Sequence, residues 1–217
     1  MIGELYEQSL AGLACPQAER ADGRPHPLPV QRWLHGAPGD SSLLDRCTGP
    51  TLDVGAGPGR LTVALAERGV PALAIDVTPY AVQLARSSGA LALQRDVFGY
   101  LPGTGRWATV LLADDNIGIG GEPAALLCRA RALLATDGQV LAEVGPPGTV
   151  SWRQPVRLRT SAGPGAWFPW AWIGADQVDR LGDAAGLRVT EIWTDSGRWF
   201  AALRGAPAAR PTLGGQP

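Results

Sequence analysis

A strand, a glycine-rich turn and a helix are predicted one after another within residues 51–62, TLDVGAGPGRLT. Leu52 and Val54 belong to a β-prone run that ends at Gly55, and apolar residues recur at helical spacing after Arg60. Glycine carries no side chain, so such a turn brings bare backbone and the partly positive helix N-terminus close to a ligand. The stretch predicts a site for a polar, nucleotide-like ligand, although a tight strand-to-helix connection explains the same residues.

The spacing of the glycines narrows the class of nucleotide. Gly55, Gly57 and Gly59 alternate, and Arg60 stands where a dinucleotide fingerprint has its third glycine or alanine. A phosphate-binding loop of the Walker type needs a lysine followed by Ser or Thr, and the turn has neither. The spacing therefore disfavours an NAD-type oxidoreductase and excludes a Walker-type phosphate loop.

Composition indicates one large α/β domain. The chain has 217 residues, 45% of them hydrophobic, which is enough for a sizeable core. The formal net charge is −1 and there is no basic run, so we expect no nucleic-acid partner. All 19 basic residues are arginines, which together with the abundant Ala, Gly, Pro and Leu is typical of a GC-rich bacterial genome.

The cysteines and the N-terminus bear on the compartment. Cys15, Cys47 and Cys128 are widely spaced and form no CxxC pair, so neither a disulfide framework nor a metal site is predicted. No apolar run approaches the length of about 20 residues that spans a bilayer, and the first ten residues contain two acids and no base. We therefore expect a cytoplasmic protein without a membrane partner.

Residues 1–50 are predicted to form an N-terminal extension that acts as a lid. A short helix is expected near residues 4–13, a Pro-rich connector follows, and a second helical piece is expected at about 41–47. The extension contains both histidines of the chain, His26 and His35. Either is an ordinary surface residue or a general base.

After the glycine turn, strand and helix signals alternate, as in a parallel sheet covered by helices on both faces. An acid follows each of the early predicted strands or ends it, and ligands bind at the carboxyl ends of such strands. We expect these acids to converge, although any one of them can instead cap a turn or helix. They are Asp53, Asp76, Asp96, Asp114 and Asp115.

Asp76 has the most specific position among these acids. It lies about twenty residues after Gly55, the separation at which an acid reaches the ribose hydroxyls of a nucleoside.

A Trp-rich insertion interrupts the alternation at about residues 145–175. Its VRLR and AWIG runs are strand-like and can pair across the SAGPGA turn as a flap, with Arg157 and Arg159 on one strand face. Packing in the core explains each aromatic residue taken alone. As a group, the aromatic residues predict a pocket for an apolar or aromatic small-molecule acceptor, in which an amine would make cation–π contacts. The aromatic residues are Trp152, Trp167, Phe168, Trp170 and Trp172.

Five stretches in this order and spacing resemble the motifs of class I S-adenosylmethionine-dependent methyltransferases: LDVGAGPGR, AIDVTPYAVQLAR, RDVFGYLP, VLLADDNIGIGG and LLATDGQVLAEV. Small bacterial methyltransferase-like proteins carry a similar NIGIGG segment. The resemblance covers about residues 50–145. It implies a Rossmann-like three-layer α/β/α sandwich whose seven-stranded, mostly parallel sheet contains one antiparallel strand. A hairpin near residues 187–203 supplies that strand.

The resemblance also implies S-adenosylmethionine as the cofactor and assigns residues to it. Asp76 would bind the ribose, Val77 and Val97 would lie at the adenine, and Asp96 would accept from its exocyclic amine. Asp114 would lie beside the methionine moiety. The amino-acid end of the donor would be surrounded by Asp53, Gly55, Ala56 and Gly57.

The acceptor half is predicted from fewer residues. Asn116 can orient a substrate or serve as a turn residue, and Asp115 and His35 are candidates for a base that takes a proton from the acceptor. The leading hypothesis is a methyltransferase acting on a small molecule. A methyltransferase-fold binding protein or partner subunit without turnover remains an alternative, and an NAD-type oxidoreductase is a weaker one.

The predicted organisation of the chain has three parts. These are the extension 1–50, the donor-binding domain 51–204 with its Trp-rich insertion, and a loose tail at 205–217.

Overall fold

The structure, a computed structural model, describes residues 3–205. The helices of this part of the chain are α1 (Glu4–Leu10), α2 (Val30–His35), α3 (Asp40–Leu44), α4 (Arg60–Glu67), α5 (Pro79–Ser87), α6 (Pro123–Leu133) and α7 (Val178–Ala184). The strands are β1 (Gln17–Arg20), β2 (Pro25–His26), β3 (Thr51–Val54), β4 (Ala72–Asp76), β5 (Ala92–Gln94), β6 (Trp107–Leu112), β7 (Leu134–Val144), β8 (Trp152–Thr160), β9 (Gly163–Pro164), β10 (Phe168–Trp172), β11 (Leu187–Asp195) and β12 (Arg198–Gly205). Short 3-10 turns occupy Asn116–Gly121 and Ala175–Gln177.

A seven-stranded sheet in the order β11-β12-β7-β6-β3-β4-β5 forms the middle layer. Strand β12 runs antiparallel to both of its neighbours, and the other pairings are parallel. The hairpin β11–β12 supplies the antiparallel strand, as the sequence predicted. The Rossmann-like three-layer fold of the prediction is confirmed.

The central strand β6 shows why both faces of the sheet are covered. Its last four residues, 109–112, are buried without alternation, as in a strand with helices on each side. Val110 and Leu112 pack in one core cluster with Leu126 of α6, whereas Leu111 packs in a second cluster with Leu65 of α4. Successive side chains of a strand point to opposite faces, so the two clusters are the two layers of core.

A second, antiparallel sheet lies beside the first and has the order β10-β8-β1-β2, with β9 paired to β8. The two strands of the Trp-rich insertion pair with each other, but with Trp172 opposite Trp152 and Phe168 opposite Val156, so the predicted partners VRLR and AWIG do not lie opposite one another. The sheet also contains β1 and β2 of the N-terminal extension, so the extension and the insertion form one structure.

Strand β1 and helix α2 were not among the predicted elements. Of the four residues of β1 only Ala18 is buried, so the strand lacks an apolar alternation that a sequence pattern can detect. Its order comes from pairing with β8 and from ion pairs of Glu19 with Arg157 and Arg159, at 3.2 and 3.5 Å.

The tail predicted at 205–217 lies outside the described residues, apart from Gly205, which ends β12.

Candidate functional site

A cavity of about 310 Å³ collects residues from the carboxyl ends of the parallel strands and from the second sheet. The residues from the sheet edge include Gly57, Asp76 and Asp115. The residues that face them include Trp33 of α2 and Phe168 of β10. The cavity therefore joins the glycine turn to the N-terminal extension and to the Trp-rich insertion.

The turn after β3 has a conformation that its glycines allow. Gly55 and Gly57 have φ angles of 68° and 55°, in the left-handed region. A Cβ atom on Gly55 would lie 2.8 Å from Nδ2 of Asn116, and one on Gly57 would lie 3.1 Å from the Tyr6 hydroxyl. With Ala56 between them, these residues bring backbone to the cavity at close range.

The Asp76 carboxylate joins this turn to the end of β4. Its Oδ2 accepts a hydrogen bond from the backbone N–H of Gly57 (3.0 Å), and its Oδ1 accepts one from the N–H of Thr78 (2.8 Å). Burial raises the pKa of Asp76 in spite of these N–H donors. Each carboxylate oxygen can accept more than one hydrogen bond, so both can still accept from ligand hydroxyls.

Val77, Asp96 and Val97 line the same cavity, as does Phe98. Val97 is buried, whereas Val77 and Phe98 are 37% and 44% exposed and offer apolar surface to a ligand. Asp96 is exposed and accepts a hydrogen bond from the N–H of Phe98 (2.9 Å). The structure brings the three predicted residues together and adds Phe98, whose position after a short edge strand carries no periodic signal.

Asp53 lies elsewhere, which corrects the prediction that it surrounds the amino-acid end of a donor. The side chain is 1% exposed and does not line the cavity. Its Oδ2 accepts a hydrogen bond from the hydroxyl of Thr62 in α4 (2.7 Å), so it braces the strand against the helix. Burial raises the pKa of Asp53 to about 6. The side chain lies on the face of the sheet that α4 covers, one residue before the end of β3.

Asp114 and Asp115 follow β6 with φ angles of 52° and 64°. Two consecutive left-handed residues other than glycine are uncommon, although Asp tolerates this region better than most. Both residues line the cavity and are partly buried. Burial raises the pKa of Asp115 to about 8, and the neighbouring carboxylate of Glu143 acts in the same direction.

Asn116 braces the glycine turn. Its Nδ2 donates to the backbone carbonyls of Val54 (2.8 Å) and Gly55 (2.9 Å), so both amide hydrogens are used within the protein. The residue lines the cavity, and its Oδ1 remains as an acceptor. The predicted substrate-orienting role is therefore limited to that oxygen.

A network of three guanidinium groups and three carboxylates lies against the cavity, and the sequence prediction missed it. Each group comes from a different element or loop, so no local spacing reveals the network. The side chains are between 6% and 23% exposed. The members are Arg32, Arg60, Arg198, Asp40, Asp114 and Glu143.

Arg198 is the most connected member of this network. Its Nε and Nη2 donate to the two carboxylate oxygens of Glu143 at 2.9 and 2.7 Å, and its Nη1 donates to Asp40 (2.7 Å). Arg32 reaches from α2 to Asp114 (2.9 Å). Burial alone would raise the pKa of Asp40, but hydrogen bonds from Arg60 and Arg198 hold it below its usual value. The network fastens the N-terminal extension to the edge of the main sheet.

The two histidines have different environments. His35 is exposed, its Nδ1 lies 3.2 Å from the carbonyl of Gln31, and it does not line the cavity. Its position corrects the prediction that it acts as a base there. His26 does line the cavity, with its ring edge-to-face against Trp152 (5.3 Å) and Trp172 (5.5 Å). Burial lowers the pKa of His26 to about 4, so its imidazole is neutral at pH 7.

The aromatic residues of the insertion separate into distinct roles. Phe168 and Trp170 line the cavity, whereas Trp152 and Trp172 hold His26. Trp167 is 44% exposed and stacks under the guanidinium of Arg157. Tyr6 and Trp33 of the extension complete the aromatic part of the cavity. These two were missed because they reach the cavity only through long-range packing of the extension, which no local pattern specifies.

Comparisons with solved structures show the same fold in methyltransferases. An S-adenosylmethionine-dependent methyltransferase from Bacteroides fragilis, in complex with S-adenosyl-L-homocysteine, is 21% identical, with a TM-score of 0.78 over 94% of each chain. The 1,6-didemethyltoxoflavin-N1-methyltransferase of Burkholderia thailandensis is 20% identical, with a TM-score of 0.58 over 80% of each chain. The glycopeptide N-methyltransferase MtfA, complexed with S-adenosylmethionine, is 17% identical, with a TM-score of 0.59 over 79% of this chain and 96% of its own.

At these identities the likeness shows the fold. No protein-family model matches the chain, and a comparison with curated proteins found no match. Within residues 3–205, no helix combines the length and the apolar character needed to cross a membrane.

Proposed function

We propose that this protein transfers a methyl group from S-adenosylmethionine to a small-molecule acceptor. The observation that carries the proposal is the hydrogen bond from Gly57 N–H to Asp76, which fixes a carboxylate beside a left-handed glycine turn. The backbone of the turn can then contact the amino-acid end of the donor, and the carboxylate can accept hydrogen bonds from the ribose hydroxyls. Chains of the same fold that hold S-adenosylhomocysteine or S-adenosylmethionine support this reading.

The cavity fits such a donor in shape and in charge. Gly55 and Gly57 leave backbone exposed where a Cβ atom would crowd Asn116 or Tyr6. Carboxylates favour the ammonium and sulfonium charges of the donor in a partly desolvated cleft. The proposed contacts are Gly55, Ala56 and Gly57 with the amino-acid end, Asp76 with the ribose, Val77, Val97 and Asp96 with the adenine, and Asp114 with the methionine moiety.

The residues of this chain need to position the two reactants more than to take part in bond making. The donor, when bound, provides a methyl carbon that its bond to a sulfonium already activates. Residues of the cavity therefore act by aligning the acceptor with that carbon and by excluding water. Trp33, Phe168 and Trp170 supply apolar surface for exclusion, and Asp115 supplies a carboxyl group that can hold a proton of the acceptor.

The acceptor is small or presents a narrow end to the cavity. A volume of about 310 Å³ is near the lower end of the range of about 300–1,000 Å³ for ligand pockets, and the donor occupies much of it. The names of two proteins with this fold specify methylation of nitrogen, in 1,6-didemethyltoxoflavin and in a glycopeptide. Both names favour a small-molecule or natural-product acceptor here.

Mass spectrometry of a metabolite extract tests this function. The extract is incubated with the protein and with S-adenosylmethionine that carries a deuterated methyl group. We expect at least one metabolite to gain a labelled methyl group with the wild type and with His35→Ala, since His35 lies outside the cavity. The Asp76→Ala variant should transfer much less label.

Two outcomes would contradict the proposal. If no labelled product forms although the donor binds, the protein is a methyltransferase-fold binding protein without turnover. If the wild type and Asp76→Ala transfer label equally, Asp76 does not hold the donor.

A further inference from the structure

Asp115 lines the cavity with a carboxyl group that makes neither an ion pair nor a hydrogen bond within residues 3–205. The nearby network joins Arg32, Arg60 and Arg198 to three other carboxylates, which balances those charges within the protein. The Asp115 charge is therefore left to be balanced by a proton or by a ligand.

The backbone is shaped to present this group. The left-handed conformation of both Asp114 and Asp115 costs free energy and persists where the surrounding structure holds it, most often at functional sites. It sends Asp114 to the guanidinium groups of Arg32 and Arg60 and leaves Asp115 at the cavity.

The cavity walls that face the sheet edge are aromatic. Tyr6 and Trp33 meet edge-to-face with ring centroids 5.8 Å apart, and Phe168 and Trp170 do so at 6.2 Å. Aromatic faces attract cations, and an apolar surrounding strengthens an ion pair by reducing solvent screening. The walls therefore suit an organic cation with a hydrocarbon body.

An anionic acceptor is disfavoured by the same surroundings. Of the two arginines that line the cavity, Arg60 is already bound by Asp40 and Asp114, and Arg95 is exposed and donates to the carbonyl of Gln94. A carboxylate brought to Asp115 in its ionised form would meet a like charge.

We propose that the acceptor is an alkyl or arylalkyl amine that binds as an ammonium ion against Asp115, with its hydrocarbon body between the aromatic walls. This inference rests on the proposed methyl transfer and names its substrate class.

The reaction balances with groups already named. The ammonium gives one proton to the Asp115 carboxylate, which leaves a neutral amine and a carboxylic acid. The nitrogen lone pair then forms a bond to the methyl carbon of the donor, and the carbon–sulfur bond breaks with its electron pair on sulfur. The product nitrogen carries the positive charge, and Asp115 returns its proton to water.

The proton affinity of Asp115 suits this exchange. Burial raises its pKa to about 8, with Glu143 and Asp114 acting in the same direction and Arg32 and Arg198 opposing. Amino groups in peptides have pKa values of about 8 to 10.4, so the raised pKa of Asp115 brings its carboxyl group closer to an amine and favours the proton transfer.

Three probes with one ring and different head groups test the inference: benzylamine, benzyl alcohol and benzoate. Their binding is measured by calorimetry at pH 8 with the protein saturated by S-adenosylhomocysteine, so no turnover is needed. We expect benzylamine to bind about tenfold or more tightly than either other probe, since neither of them carries the positive charge that pairs with the Asp115 carboxylate. In Asp115→Asn this preference should disappear, while in Asp137→Asn, which changes an exposed carboxylate, it should persist.

The outcomes separate this inference from the proposed function. Equal or tighter binding of benzyl alcohol or benzoate to the wild type, no binding of benzylamine, or an undiminished preference in Asp115→Asn would overturn the amine assignment. The wild-type comparison stands even if Asp115→Asn fails to fold. A wild type that does not bind S-adenosylhomocysteine contradicts the methyltransferase proposal itself.

Discussion

Asp76 is the residue at which the glycine turn and the neighbouring strand are joined. Replacing it with Asn leaves one oxygen where two backbone N–H groups now find acceptors, so we expect unfolding to become easier by about 1–3 kcal/mol. Affinity for S-adenosylhomocysteine should fall about tenfold or more, because the carboxylate also accepts from the ribose. Calorimetric titration of Asp76→Asn measures this loss.

Asp96→Asn is the matched comparison for that titration. Asp96 is exposed and receives one hydrogen bond, from Phe98 N–H, so a smaller loss of affinity is expected. Unchanged affinity in Asp76→Asn would refute the ribose assignment.

Asp53 gives a pH-dependent prediction. Burial raises its pKa from 3.8 to about 6, which corresponds to about 3 kcal/mol at about 1.4 kcal/mol per unit. The folded state binds the proton more tightly, so this stabilisation is complete below about pH 4 and is lost as the pH rises through about 6. Asp53→Asn should remove this loss of stability at high pH, and its amide oxygen can still accept the hydrogen bond from the Thr62 hydroxyl.

Urea unfolding at pH 4 and pH 8 checks this prediction. The difference in free energy of unfolding between Asp53→Asn and the wild type should grow in favour of the variant by up to about 3 kcal/mol at pH 8. Asp137→Asn, at an exposed site, should show no such change. An equal difference at both pH values would contradict the account of Asp53.

At the residue scale, the place of a residue within a sequence motif predicted whether it lines the cavity better than the chemical type of its side chain did. Asp76, Val77 and Val97 line the cavity because they end or follow parallel strands at the same edge. Asp53 lies one residue before the end of β3 and its buried side chain packs against α4 instead, a placement that the sequence does not determine. His35 was selected for its chemistry alone, and its helix turns it to solvent.

At the scale of elements, the contact between the Asn116–Gly121 turn and β10 joins the two sheets. A methyl group on Gly118 would overlap the carbonyl oxygen of Ala171 and lie 3.0 Å from Nε1 of Trp170. Gly118→Ala should therefore destabilise the protein by about 1–3 kcal/mol through overpacking. Thermal unfolding measures the effect.

Gly205→Ala is the control, since no atom of residues 3–205 lies within 4 Å of a Cβ placed there. If both variants unfold at the same temperature as the wild type, the close approach between the turn and β10 does not contribute to stability.

The elements of the main sheet could be predicted, and those of the second sheet only in part. Strands such as β6 and helices such as α6 carry continuous or periodic apolar residues, which determine their type locally. Strand β1 is polar and four residues long, and α2 has no buried residue. Both depend on partners distant in the chain, which local patterns do not specify.

On the scale of the whole molecule, Arg198 connects β12 to the N-terminal extension and to β7 through Asp40 and Glu143. Its removal leaves these carboxylates without their partner in a nearly buried site. We expect Arg198→Ala to lower the free energy of unfolding by about 3–5 kcal/mol.

Arg188→Ala, in an exposed position of β11, should change the free energy of unfolding by no more than about 0.5 kcal/mol. Chemical unfolding of both variants measures the two free energies of unfolding. Equal stability of the two would show that the network does not hold the extension to the sheet.

The overall architecture followed from the order of strands, helices and acids along the chain, whereas the acceptor half of the cavity did not. That half is assembled from α1, α2, β8 and β10, which meet only after folding. Residues such as Tyr6 and Trp33 are ordinary hydrophobic residues in the sequence and become cavity residues through long-range packing.

The most direct test of the central claim is a calorimetric titration of the wild-type protein with S-adenosylmethionine and, separately, with NAD⁺. We predict that one S-adenosylmethionine binds per chain and that NAD⁺ binds more weakly or not at all, because Arg60 replaces the third glycine of the dinucleotide fingerprint. Tighter binding of NAD⁺ than of S-adenosylmethionine, or no binding of S-adenosylmethionine, would contradict the account.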